Sequence, residues 1–110
     1  MKVEQKGNAT IIRDTQGNLN SFIEKLRHEH ASFSSQNLIL DITHDTNVTI
    51  NEIKLFSDLS KTHKKNKKSF VIVAQDINFN EVTSKLDVVP SILEAHDIIE
   101  MEEIERDLGF

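Results

Sequence analysis

Two short, almost uninterrupted apolar runs constrain the fold most: LILDI at 38–42 and SFVIVA at 69–74. A strand without polar alternation has to be covered on both faces, which is the habit of parallel sheets, and parallel strands need helical crossovers between them. The intervening segments supply such helices. SFIEKLRHEHASF puts Phe22, Ile23, Leu26, His30 and Phe33 near one helical face, and Ser21 with Glu24 has capping-box spacing at its start. Thr49 with Glu52 repeats that spacing ahead of a second stripe made by Ile53, Phe56, Leu59 and His63. A third match, Ser91 with Glu94, opens a long final helix whose Ile92, Ala95, Ile98, Ile99, Met101, Ile104 and Leu108 form one apolar stripe before Gly109 closes it.

The remaining chain fits around this frame. Residues 3–6 and 9–13 read as antiparallel strands joined at Gly7-Asn8. Residues 80–86 read as one or two helical turns, and Val88-Val89 as a brief strand stopped by Pro90. The order β-β-α-β-α-β-α-(β)-α predicts an α/β fold, a mixed four-to-five-stranded sheet with helices and an antiparallel edge. Residues 1–110 show no linker, repeat or low-complexity segment and read as a single domain, long enough to bury roughly two-thirds of its unfolded surface.

Composition removes several function classes. The absence of cysteine excludes disulfides, thiol catalysis and cysteine-held zinc. A formal net charge of −5 argues against direct nucleic-acid binding, whose affinity comes mainly from neutralising phosphates. The N-terminus has no apolar signal core and no stretch is long enough to span a membrane, so the chain reads as cytoplasmic with no membrane partner. Lys61, Lys64, Lys65, Lys67 and Lys68 read as the solvated, dipole-favoured end of a helix. The seven acidic residues between Glu94 and Asp107, against the single Arg106, read as a solvated outer face, with a docking surface for a basic partner as the sharper alternative.

The most informative stretch is the strand-to-helix junction NLILDITHDTNVTINEIKLF. Asp41-Ile42-Thr43 at the strand end, with Thr49-Ile50-Asn51-Glu52 opening the next helix, resembles a STAS domain, the fold of anti-sigma factor antagonists and of sulfate-transporter tails. The resemblance covers nearly the whole chain and implies a four-stranded core with helices on one side. It implies docking onto a protein partner, an anti-sigma factor of kinase-like type or another regulatory protein, through Asp41, Thr43, Thr49, Ile50, Asn51 and Ile53. Phospho-switched antagonists carry Asp-Ser-Ser-Gly where this chain has Thr49-Ile50-Asn51-Glu52, so the acceptor serine and its glycine are absent. Thr49 is the remaining phosphorylation candidate, but its spacing to Glu52 favours a structural cap.

The chain is also similar to short bacterial proteins that carry the name ribonuclease Z, which implies a companion of tRNA 3′ processing or a hydrolase. The zinc motif of that enzyme, His-x-His-x-Asp-His, is met here only by His28 and His30. Two residues apart on a helix, these point in different directions, so they make a poor metal pair. His44 beside Asp45, His63 and His96 read as isolated structural histidines, and Asp41 as an acceptor for loop N–H groups. No Gly-rich phosphate loop, nucleophile elbow or convincing carboxylate pair is visible. The expectation is a non-enzymatic interaction module with no catalytic residue, cofactor or metal.

Overall fold

The structure is a computed structural model and describes residues 1–109. Five strands form one sheet in chain order: β1 (Lys2–Lys6), β2 (Ala9–Arg13), β3 (Leu38–Asp41), β4 (Phe70–Val73) and β5 (Asp87–Val89). β1 runs antiparallel to β2 through a turn in which Gly7 takes φ +60°, and every later neighbour is parallel. The crossovers are α1 (Leu19–Phe33), then α2 (Ile50–Ile53), a 3-10 turn (Lys54–Phe56) and α3 (Ser57–Lys65), and finally a 3-10 turn (Phe79–Glu81). Helix α4 (Ile92–Asp107) follows the last strand. The α/β class and mixed sheet are those expected from the sequence.

Because spatial order equals chain order, each parallel step moves the same way across the sheet. Right-handed crossovers then put α1 and α2–α3 on the same face. The two-residue period divides the strands accordingly. Ile12, Leu38, Leu40, Phe70 and Ile72 pack with Phe22, Leu26, Ile53, Phe56 and Leu59, while Ile11, Ile39, Val71 and Val73 turn the other way onto Ala95 and Ile99 of α4. Helices on one side alone is therefore corrected. Strands apolar on both faces cannot leave one of them wet, and the C-terminal helix covers the second face.

Other expectations shift locally. α1 begins at Leu19, where the Asn18 side chain accepts from the Ser21 N–H at 3.1 Å, so Ser21 lies inside the first turn instead of capping it. The second helix is divided by its 3-10 turn, although Ile53, Phe56, Leu59 and His63 are all buried as expected. Residues 80–86 hold only the tail of a 3-10 turn. In α4 only Ala95 and Ile99 are fully buried, whereas Met101, Ile104 and Leu108 are exposed. A 16-residue helix is about 24 Å long, and the four-residue strands beneath it span about 13 Å, so the helix outruns its sheet.

A buried amide secures the overhanging end. Asn37, just before β3, donates to the Asn8 carbonyl at 3.0 Å and to Glu103 Oε1 at 2.6 Å, and accepts from the Ser69 N–H at 2.9 Å. Arg106 donates to the same Asn37 oxygen at 3.4 Å and to Ser69 Oγ at 3.2 Å. The acidic helix is thereby tied to the N-terminal ends of β3 and β4.

Candidate functional site

The junction after β3 lies at the C-terminal edge of the parallel strands, where open α/β sheets place working groups. Asp41, nearly buried, accepts from the Thr43 N–H at 3.0 Å and Thr43 Oγ1 at 2.7 Å through one oxygen, and from Arg13 Nε at 3.0 Å through the other. Arg13 is its register partner on β2 and also stands 3.6 Å from Glu4. Asp41 is thus the saturated acceptor that the sequence implies.

Further along, Thr49 caps α2 in a reciprocal box. Its Oγ1 accepts from the Glu52 N–H at 3.2 Å, and Glu52 Oε1 accepts from the Thr49 N–H at 3.0 Å and lies 3.2 Å from the Thr49 hydroxyl. The hydroxyl is therefore engaged on both sides. Ile50 is half-buried and Asn51 exposed, while Ile53 is wholly buried in the core and supports the turn from below. The structure brings Asp41 to Thr43 and gathers Thr49 to Ile53 into one turn. No hydrogen bond among the described residues links the two groups directly.

Between them lies a feature the sequence does not reveal, a pair of carboxyls. Asp14, just past β2, is 3% exposed, and its N–H donates to the Asp41 carbonyl at 3.1 Å. Its Oδ1 accepts from the Gln16 N–H at 3.0 Å, but its Oδ2 and both oxygens of Asp45 are shielded from solvent and have no partner other than each other's carboxyl group. Burial, then a hydrogen bond to Asp14 and repulsion from Asp14 and Glu52, push the Asp45 carboxyl up to about 7. The Asp45 carboxyl therefore keeps its proton to higher pH than an ordinary aspartate. Asp45 also borders a cavity of about 320 Å³ lined by Thr43, Thr46, Asn47, Gln75 and Asp76. The absence of a carboxylate pair is thus corrected. Residues 31 positions apart meet because both follow the ends of adjacent parallel strands, a signal available only once β2 and β3 are paired.

The histidines are likewise rearranged. His28 is exposed while His30 is buried, so the two diverge as their spacing implies. His30 Nε2 lies 2.9 Å from His63 Nδ1, and His63 Nε2 lies 2.6 Å from the Gln36 carbonyl oxygen. A carbonyl only accepts, so His63 Nε2 carries the proton, its Nδ1 accepts, and His30 Nε2 donates. Burial lowers the pKa of both rings, and for His63 the neighbouring His30 and Lys68 lower it further against the opposing pull of the Gln36 carbonyl. This relay joins α1 to α3 as a neutral polar link within the core. His44 is exposed beside the carboxyl pair, and His96 meets Asn8 Oδ1 at 2.9 Å.

Among the described residues, no cluster of His, Asp or Glu could hold a metal ion, and no helix is long and apolar enough to cross a membrane. The chain matches no protein-family model and no curated protein sequence.

Proposed function

We propose that the chain is a non-enzymatic protein-interaction module of STAS type, docking the 41–56 segment and the adjoining α3 onto a regulatory protein. The observation that carries this reading is the locking of the junction at both ends. Asp41 is fixed by Thr43 and Arg13, and the N-terminus of α2 by the Thr49–Glu52 box. Between and beyond these anchors Thr46, Asn47, Asn51 and Leu55 are exposed, with Ile50 half-buried among them. A surface already held in one conformation loses little entropy on binding, which is what a recognition site requires.

Thr49 supports docking without a phosphate switch. Modifying its hydroxyl would break the box that holds the helix start and place a charge of about −1.5 to −2 beside Glu52. The test is co-purification from the native organism with tagged wild type and with Asn51→Lys/Leu55→Glu, both exposed positions. Recovery of a kinase-like anti-sigma factor with wild type and its loss with the variant support the reading. Equal recovery with both, or none of any regulatory protein with wild type, overturns it.

A further inference from the structure

Helix α4 carries apolar residues on two opposite sides. Ala95 and Ile99 face the sheet, while Leu93, Met101, Ile104 and Leu108 are 72%, 62%, 53% and 66% exposed. At 100° per residue those four fall within one narrow outer stripe. Exposed Asp97 lies in the stripe, with Glu100 and Asp107 along one flank and Glu94 and Glu105 along the other. The one Lys or Arg of the helix, Arg106, is turned toward Asn37 and Ser69 and neutralises none of them. An apolar stripe between rows of carboxylates is complementary to an apolar surface rimmed by cations.

The chain presents such a surface elsewhere. Along α3, from Ser57 and Asp58 at its start to Lys61, Lys64 and Lys65, runs a cleft of about 590 Å³ completed by Lys85 and Leu86. Lys64 is paired with Asp87 at 3.1 Å, but Lys61, Lys65 and Lys85 form no ion pair among the described residues. Their aliphatic stems and Leu86 give the cleft an apolar floor beneath a cationic rim.

We propose that the outer stripe of α4 on one copy seats in the lysine-lined cleft of a second copy. α3 and α4 cover opposite faces of the sheet, so the two surfaces look in different directions and the contact is heterologous, joining copies head to tail. Pairing α4 with α4 instead would set carboxylate rows against each other, which charge disfavours. The cleft shares α3 with the proposed docking surface, but the α4 stripe lies outside it, and self-association of the pure chain is read without any regulatory partner, so the two readings fail separately.

The experiment is sedimentation of the full chain with two surface variants, Met101→Glu/Ile104→Glu in the stripe and Lys61→Glu/Lys65→Glu in the cleft. All four positions are exposed, and circular dichroism confirms that each variant folds. Wild type associates at low salt and dissociates as salt is raised, and each variant alone is a monomer. An equimolar mixture of the two forms a one-to-one dimer and nothing larger, because each species keeps the half that the other lacks. A monomeric wild type at every concentration overturns the proposal. So does a mixture that stays monomeric, or association that survives the cleft variant, which would place another apolar surface on the stripe.

Discussion

Replacing Asp45 with asparagine is expected to stabilise the protein in mildly alkaline solution and to leave it unchanged in acid. The native carboxyl titrates at about 7 where an ordinary one titrates at 3.8, so the folded state binds the extra proton throughout that interval. Stability present below 3.8 is accordingly lost as the pH rises through about 7. At about 1.4 kcal/mol per pH unit the interval corresponds to about 4 kcal/mol. The loop is partly open to solvent, and screening reduces this to about 1–2 kcal/mol. Asparagine carries no charge and keeps an N–H donor for Asp14 Oδ2, so it retains the neutral form at every pH. Thermal unfolding of the variant and wild type across this range should show a gap growing from near zero below 3.8 to a plateau above about 7. Each kcal/mol corresponds to about 4–8 °C in Tm for a domain near this size. Taking the difference between the two proteins removes the contribution of the histidines. A gap independent of pH, or an asparagine variant less stable at alkaline pH, would refute the raised Asp45 pKa.

Other expectations follow from the buried polar groups. The His30–His63 pair has lowered pKa values, so the unfolded chain binds more protons below the ordinary 6.5, and urea midpoints should fall as the pH drops below that value. Asn37→Ala strips partners from the Ser69 N–H, the Asn8 carbonyl and Glu103, and should cost about 2–3 kcal/mol in chemical denaturation. Thr49→Ala should cost about 1 kcal/mol through the lost cap, and intact mass after incubation with a partner kinase and ATP should show no phosphate on wild-type Thr49.

The parts of the fold that could be read from the sequence are those set by local chemistry. The runs at 38–42 and 69–74 announce doubly covered strands, and Thr49–Glu52 and Ser91–Glu94 mark helix starts that the structure keeps. Asn18 was hidden because Ser21 and Glu24 offer the same spacing one turn later, and spacing alone cannot choose between competing caps. Helical periodicity finds the apolar residues of α4 but says nothing about how much sheet lies beneath them. Asp14–Asp45, His30–His63 and Asn37–Glu103 are long-range pairs made by strand order and helix packing. No single segment contains their signal.

A carboxyl titrating near neutrality is also what an acid–base catalyst possesses, so the Asp14–Asp45 pair has to be weighed against the non-enzymatic reading. Catalysis requires the proton to be reachable by a substrate at hydrogen-bond distance. Here Asp14 Oδ2 and both Asp45 oxygens are shielded from solvent, although the Asp45 side chain borders a cavity. The neighbouring groups are committed as well: Asp41 to Thr43 and Arg13, and Thr49 to Glu52. Asp45 thus sits in the middle of a loop whose two ends are already pinned. That arrangement makes the charge on Asp45 a determinant of how firmly the junction is held.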